Sequence, residues 1–188
     1  TSHPVTLEHE NTQEYTAALL SALDESGLNL IFTDPNADTG GRIISEMINS
    51  FVASHLKAEM AVNMGSHAYF SLMSQATAMV GNSSSGIIES ASFTLPVVNI
   101  GNRQQGRIHG PNVIDVGYTQ RDIMDGINQV IAEGFRSGLK NLVNPYGDGT
   151  ASGKIVAQLK SIPLNERLLK KRFYGGEENI SIVSGTQV

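Results

Sequence analysis

The sequence predicts an α/β fold with a parallel, doubly wound sheet covered by helices on both faces. Short apolar segments of strand length alternate with segments whose apolar residues recur every three to four positions. This alternation is typical of right-handed βαβ units. The 188 residues are enough for a domain that buries roughly 70% of its unfolded surface.

The first part of the chain predicts two helices and two strands. Asn11 and Glu14 form a capping-box pair for a helix over 11–26, and Gly27 suits its C-terminal cap. A strand over 28–32 ends in a turn-rich segment, 34–41. A helix with Ile43, Ile44, Met47, Ile48 and Phe51 on its inner face and a strand over 59–63 follow.

The second part continues the alternation. Thr119 and Asp122 form the cap pair of one helix, which we predict over 119–133. The other predicted helices cover 68–76, a segment opening at 81–86, 151–160 and 163–172, and the predicted strands cover 78–80, 96–100 and 113–116. Ligands of such sheets bind beyond the carboxyl ends of the strands, so the loops 34–41, 63–67, 81–86 and 101–111 are the candidate binding loops.

Composition excludes several classes of function. The formal net charge of −5 argues against binding to nucleic acid or to an anionic membrane, both of which need a basic surface. Cysteine is absent, which excludes disulfides and thiolate chemistry and fits a reducing cytoplasmic location. The apolar runs are too short to cross a bilayer. Residues 1–6 are typical of the end of a strand, so we expect a fragment of a longer protein.

The segment from Gly81 to Gly86 joins a predicted buried strand to a helix. A helix N-terminus offers free N–H groups, and the three consecutive serines add hydroxyl donors, so the segment suits a diphosphate. An ordinary N-cap is the alternative, because Asn and Ser also favour that position. The GxxxxGK[ST] and GxGxxG patterns are both absent.

Two charged residues near this segment extend the hypothesis. Glu89 could accept hydrogen bonds from both hydroxyls of a ribose, or be an ordinary surface carboxylate. Arg103 follows the next strand and suits a phosphate, because a guanidinium forms paired charge-assisted hydrogen bonds. A plain surface arginine is the alternative.

The remaining polar candidates are weaker on sequence alone. His3, at a predicted strand end, could act as a general acid or base or bind substrate, although a lone histidine can also be structural. Asn36 could meet a base or a ribose. The other histidines share no metal-ligand spacing, so we expect neither a metal nor a cofactor.

The order of these motifs resembles a known family. The segments from Gly81 to Glu89 and from Leu95 to Arg107, with His3-Pro4-Val5-Thr6 and 146–149, resemble the C-terminal half of UDP-N-acetylglucosamine 2-epimerases. The most similar subgroup is the hydrolysing type of sialic-acid and related nonulosonic-acid pathways. The resemblance runs from His3 to Phe173.

The resemblance implies a fold and a reaction. Family enzymes have two Rossmann-like domains in the glycosyltransferase-B (GT-B) arrangement, with a UDP-sugar between them. Residues 1–173 would form the C-terminal UDP-sugar-binding domain, with 174–188 an unassigned tail. The family reaction eliminates UDP to give a glycal-like intermediate, to which water adds to give N-acetylmannosamine.

The resemblance also implies residue roles and partners. Asn82, Ser83, Ser84 and Arg103 would bind the UDP phosphates, Glu89, Asn36 and Met64 would line the ribose and uracil, and His3 would be catalytic. The N-terminal domain, which carries the family's acidic catalytic residues, would be absent, so the isolated chain is expected to be inactive. Expected partners are a UDP-sugar, that missing domain and a second copy in a homodimer.

Two alternatives remain open from sequence. A GT-B glycosyltransferase would use the same kinds of residue for a nucleotide sugar, but would need an acceptor. A noncatalytic nucleotide-sugar-binding module would also fit the chain.

Overall fold

The structure is a computed structural model that describes residues 1–36, 38 and 40–170, without the side chains of Thr6, Leu7 and Arg167. It contains two compact units, Thr1–Asp148 and a second that begins at Gly149. The predicted domain limit at residue 173 and the predicted tail, 174–188, lie outside the described residues.

Helices and parallel strands alternate through the first unit, as predicted. The strands are β1 (Leu30–Thr33), β2 (Ala58–Ala61), β3 (Met79–Gly81), β4 (Val97–Ile100) and β5 (Val113–Val116). The helices are α1 (Thr12–Ser26), α2 (Gly41–Ser54), α3 (Gly65–Gln75), α4 (Ser85–Ile88), α5 (Gln120–Ile131) and α6 (Glu133–Gly138), and the second unit has α7 (Ala151–Ser161) and α8 (Glu166–Leu169). No helix in the described ranges is long and apolar enough to cross a membrane.

The five strands form two parallel ladders. One joins β1 to β2, and the other has the order β3–β4–β5. The predicted α/β class with parallel strands is confirmed. β1 and β3 are not hydrogen-bonded to each other, and the N-terminal residues lie at one end of the space between them.

Thr1 takes the place of a strand residue in that space. Its amino group donates to the Val80 carbonyl at 2.9 Å, and its own carbonyl accepts from the Asn82 amide at 3.2 Å. Bonds to the residues on either side of Gly81 are the pattern of a parallel ladder. A Cβ at Gly81 would collide with the Thr1 carbonyl, so this pairing requires glycine.

The core lies on both faces of the strands. Val98 and Ile100 of β4 belong to a large apolar cluster with α1, α2 and α5, whereas Val97 packs with Ile87 and Val113 in a second cluster. Alternate strand residues point to opposite faces, so the two clusters cover the two faces of the β3–β4–β5 ladder.

Two of the predicted helix ends are confirmed by the structure, and two helices begin or end differently from the prediction. The Thr119 hydroxyl accepts from the Asp122 amide at 3.1 Å, and Gly27 ends α1 with a φ of 63°. The capping box predicted at Asn11 is wrong, because a 3-10 helix over Thr6–Asn11 leads directly into α1 and the Asn11 amide donates to the Tyr15 hydroxyl instead. The helix predicted after 81–86 is also shorter than expected: α4 has four residues and is followed by a 3-10 turn over Ser90–Phe93.

An aromatic pair joins α1 to the loop that follows β5. The rings of Tyr15 and Tyr118 stack with centroids 3.8 Å apart and planes 7° from parallel. The Tyr118 hydroxyl donates to Glu8 at 2.8 Å. Burial, aided by the Glu8 carboxylate, raises the Tyr118 pKa to about 12, so this phenol stays protonated and keeps its role as a donor.

Candidate functional site

Asn82, at the carboxyl end of β3, clamps the main chain of His3. The Asn82 side-chain oxygen accepts from the His3 amide at 2.7 Å, and its side-chain nitrogen donates to the His3 carbonyl at 2.8 Å. Asn82 is buried. Because both its side-chain polar atoms are engaged, Asn82 positions His3 rather than presenting a free amide to a ligand.

The imidazole of His3 is held as a neutral donor. The backbone N–H of Asn36 donates to His3 Nδ1 at 3.1 Å, which places the ring proton on Nε2. Burial, assisted by the Arg103 and N-terminal charges, lowers the His3 pKa to about 4, against an opposing effect of Asp38. At neutral pH this side chain can therefore donate a hydrogen bond from Nε2, but it has no free lone pair for a general base.

Arg103 and Gln104 reach the same site from the loop after β4. Arg103 Nη1 and Gln104 Nε2 donate to the Asn82 carbonyl at 3.1 and 2.8 Å. Arg103 carries no ion pair with any residue in the described ranges. One guanidinium nitrogen is thus anchored, and the charge of the group is left for an external anion.

Three consecutive serines, Ser83–Ser85, lie directly after Asn82, and we call them the serine loop. The Ser85 amide donates to Ser83 Oγ at 3.3 Å, and the Gly86 amide donates to the Ser83 carbonyl at 3.1 Å. Since Ser83 Oγ accepts this bond, its own hydroxyl hydrogen remains available to a ligand. Because α4 has only four residues, its dipole is weaker than that of the longer helix expected from the sequence.

Glu89 and Asn36 each hold a buried oxygen that has no partner within the described part of the chain. These atoms are Glu89 Oε2 and Asn36 Oδ1. Glu89 directly follows the last residue of α4. Asn36 also donates from its side-chain nitrogen to Asp38. Buried polar atoms normally have partners, so both oxygens are candidates for ligand hydroxyl or N–H groups.

The structure unites some predicted residues more closely than others. Hydrogen bonds connect His3, Asn36, Asn82 and Arg103, and Ser83 and Ser84 adjoin them in the chain. Within the described residues, the side chains of Glu89 and Met64 make no hydrogen bond to this group. Met64 is half-buried and directly precedes α3, where Asn63 and Gly65 both have positive φ.

Gln104, whose side chain donates to the Asn82 carbonyl, was not among the residues predicted from the sequence. Its side chain is only 4% exposed, and its Oε1 is a buried atom without a partner in the described residues. No spacing signal marks it, because its partner Asn82 is 22 positions away in the chain. Among the described residues, no cluster of three or more His, Cys, Asp or Glu could hold a metal ion.

The fold is a Rossmann-like α/β domain of the type that forms half of a GT-B protein, and its polar loops lie at the carboxyl ends of the strands. The profile of the family described as UDP-N-acetylglucosamine 2-epimerase matches residues 1–160. The chain belongs to the UDP-N-acetylglucosamine 2-epimerase family. The resemblance seen in the sequence, to the C-terminal domain of its hydrolysing members, is thereby confirmed.

Individual relatives agree with this assignment. The chain is 36% identical over 169 residues to a hydrolysing UDP-N,N'-diacetylbacillosamine 2-epimerase of Legionella pneumophila, covering 90% of this chain and 44% of the relative. It is 48% identical over 118 residues to the hydrolysing GDP/UDP-N,N'-diacetylbacillosamine 2-epimerase of Campylobacter jejuni, covering 61% of this chain and 30% of the relative. The chain thus spans less than half the length of these relatives.

A solved structure shows the same fold. The UDP-GlcNAc 2-epimerase of Methanocaldococcus jannaschii, in complex with UDP-GlcNAc and UDP, superposes with a TM-score of 0.64 at 14% identity. The match covers 85% of this chain and 44% of that chain.

Proposed function

We propose that this chain is the UDP-binding half of a hydrolysing UDP-N-acetylglucosamine 2-epimerase. The complete protein would release UDP and form N-acetylmannosamine or a related 2-acetamido sugar. The observation that carries the proposal is the Arg103 guanidinium, which is anchored on the Asn82 carbonyl at 3.1 Å and has no ion pair within the described residues. It lies beside the serine loop and the neutral imidazole of His3.

The diphosphate would bind between Arg103 and the serine loop. Arg103 supplies positive charge, and Ser83 and Ser84 supply hydroxyl donors. A hydrogen bond to a charged group contributes about 1.5–3 kcal/mol. Asn82 holds the serine loop, His3 and Arg103 in one arrangement, so its contribution is to positioning.

The nucleoside would meet the two unpartnered oxygens. Glu89 Oε2 is an acceptor suited to a ribose hydroxyl, and Asn36 Oδ1 is suited to an N–H of the uracil ring. Met64 would cover the ring from the start of α3. A bound nucleoside would satisfy buried groups that otherwise cost free energy.

These contacts also assist the departure of UDP. Negative charge grows on the diphosphate as the bond to the sugar breaks, so donors fixed around it stabilise the transition state more than the ground state. His3 would add a hydrogen bond from Nε2–H without transferring its proton, since its pKa is lowered to about 4. The chain alone would be inactive, because the resemblance places the acidic catalytic residues in the other half of the protein.

The sugar belongs to the 2-acetamido class on this proposal. The Legionella relative is named for UDP-N,N'-diacetylbacillosamine, and the archaeal structure contains UDP-GlcNAc. Both sugars carry an N-acetyl group at carbon 2. The choice between them would be made largely by the N-terminal half.

A calorimetric titration of the chain with UDP tests the proposed binding site. We expect Arg103→Ala to weaken UDP binding by about 10- to 100-fold, the loss of one charged hydrogen bond. Arg107→Ala is the matched control, because Arg107 is exposed in the same loop; it should change affinity by less than about twofold. Equal affinities for the two variants would reject the phosphate role of Arg103.

A parallel pair tests the ribose contact. Glu89→Gln should weaken UDP binding, whereas Glu133→Gln, at an exposed position, should not.

In the complete protein, UDP and free sugar should appear without an added acceptor, and EDTA should leave the rate unchanged. A requirement for an acceptor would favour a glycosyltransferase instead.

A further inference from the structure

A carboxylate outside the proposed binding site connects two segments that contribute to that site. Glu8 lies in the 3-10 helix that precedes α1, shortly after His3 in the chain. Its Oε2 accepts from the Tyr118 hydroxyl at 2.8 Å, and its Oε1 accepts from the side-chain amide of Asn102. Asn102 directly precedes Arg103. Hydrogen bonds of Glu8 therefore join the segment that carries His3 to the loop that carries Arg103.

The loop that carries Arg103 begins with a hydrogen-bonded turn and continues with exposed residues, 105–108. The Gln105 amide donates to the Asn102 carbonyl at 2.9 Å, which closes a turn whose two central residues are Arg103 and Gln104. Because Asn102 is the first residue of this turn, its orientation sets the directions in which the Arg103 and Gln104 side chains leave the backbone.

Tyr118 contacts the same turn and completes a closed network. Its hydroxyl accepts from the Asn102 backbone amide at 3.3 Å and lies 3.1 Å from the Asn102 side-chain oxygen. The Tyr118 ring also lies against Gly101, where a Cβ would collide with the ring. Each of Glu8, Tyr118 and Asn102 thus bonds to the other two, so a displacement of Asn102 would break several hydrogen bonds at once.

The negative charge of Glu8 meets neutral donors rather than the Arg103 guanidinium. In the part of the chain that the structure describes, no ion pair joins Glu8 to a basic side chain. A carboxylate paired with Arg103 would compete with a phosphate for the same donors. Glu8 therefore holds the loop without neutralising the charge that an anion would meet.

We propose that Glu8 is a positioning residue for UDP, which acts through Asn102 to fix the Arg103 guanidinium relative to His3. This inference rests on the proposed function of the site. Glu8 itself would make no contact with UDP. Its effect would come from preorganisation, because a ligand held by two segments binds more weakly when one of them must first be ordered.

Two substitutions of Glu8 separate positioning from charge. Glu8→Ala removes both hydrogen bonds and should raise the Kd for UDP by about 5- to 20-fold, within the range of coupling in one hydrogen-bond network. Glu8→Gln removes the charge but can keep the network: its amide donates to the Tyr118 hydroxyl, and its oxygen accepts from Asn102. Its Kd should stay within about threefold of the parent. Equal changes in the two variants would show an effect of charge and overturn the proposal.

Two further variants control for charge and for folding. Glu10→Ala removes an exposed carboxylate from the same 3-10 helix, and the Kd should change by less than about twofold. Asn102→Ala breaks the connection from its other end, at an exposed position, and should reproduce the loss seen in Glu8→Ala. Combining Glu8→Ala with Asn102→Ala should add little, because both remove the same connection. Fully additive losses would overturn the proposal.

Calorimetric titration with UDP measures each Kd, and nitrogen NMR relaxation of the Arg103 Nε–H group measures how firmly that side chain is held without ligand. Glu8→Ala should lower the order parameter of this group, and Glu8→Gln should not. An unchanged order parameter in Glu8→Ala, or the same loss of affinity in an Arg103→Ala background, would overturn the proposal.

The same titrations distinguish this inference from the proposed function. If Arg103→Ala binds UDP as tightly as the parent, the phosphate role of Arg103 fails, and the positioning role of Glu8 fails with it. If Arg103→Ala weakens binding while Glu8→Ala leaves the Kd unchanged, only the positioning role is overturned.

Discussion

The two ladders of the sheet differ in how firmly they are packed and in what they carry. All four residues of β4 are buried, and the β3–β4–β5 ladder holds Asn82, the serine loop and Arg103. In β1 only Phe32 is buried, and the β1–β2 ladder holds Asn36 and Met64. The residues proposed to bind phosphate therefore follow strands of a ladder whose central strand is fully buried. Asn36 and Met64, proposed to contact the nucleoside, follow strands of a ladder that is more exposed to solvent. The segment from Thr1 to His3 joins the two ladders.

Substitution of one isoleucine in each ladder should give the largest difference in stability between the two ladders. Ile100→Ala in β4 removes a side chain that is 7% exposed, and we expect it to lower the free energy of unfolding by about 2–5 kcal/mol. Ile31→Ala in β1 should cost less than half as much, because half of that side chain already contacts water. Urea denaturation measures both. Equal losses would show that the two ladders are packed alike.

Removing the Asn82 clamp should have the next largest effect. Asn82→Ala leaves the His3 amide and carbonyl without their partners, at a cost of about 1–3 kcal/mol. Affinity for UDP should fall as well, because His3 and Arg103 lose their shared support. Asn29→Ala, at an exposed position, is the control. A variant that retained full stability would show that the N-terminal segment is held by its contacts with Val80 and Asn36.

Stability should depend on pH through His3. Its pKa is lowered to about 4 in the folded chain, against about 6.5 when unfolded, so the unfolded chain binds more protons between these values. The contribution of His3 to stability is thus complete above pH 6.5 and declines as the pH falls toward 4, by on the order of 1–2 kcal/mol after solvent screening. His3→Gln removes this part of the pH dependence. Parallel stability curves for the two proteins from pH 4 to 7 would contradict the shift.

The smallest expected effect concerns the link from the loop after β5 to the 3-10 helix over Thr6–Asn11. Tyr118→Phe keeps the ring stack but removes the hydroxyl that donates to Glu8 at 2.8 Å. The loss should be about 0.5–1.5 kcal/mol, measured by thermal unfolding. Tyr146→Phe, whose hydroxyl donates to the Ile108 carbonyl at an exposed position, should cost less. A Tyr118→Phe protein as stable as the parent would show that Glu8 is held by other contacts.

Local patterns were sufficient for most of the fold. The apolar runs located all five strands to within two residues, and the Thr119 and Gly27 signals marked helix ends correctly. Loops after parallel strands converge at one edge, so the proximity of Asn82 to Arg103 followed from topology alone.

The errors come from contacts between distant residues. One such contact is the pairing of Thr1 with Val80, which is 79 positions away. The same separation joins His3 to Asn82, so the sequence could not show that the Asn82 side chain is engaged by the His3 main chain. The 3-10 turn that follows α4 ends at Thr94, which has a φ of 49°, a conformation unusual for threonine.

The stacked tyrosines also give the chain a built-in optical probe. The sequence has five tyrosines and no tryptophan, so tyrosine emission is not masked by indole. Near-ultraviolet circular dichroism reports fixed packing of aromatic rings, and rings 3.8 Å apart should give a strong signal of this kind. Its loss on heating would report when α1 separates from the loop after β5, independently of the helix content.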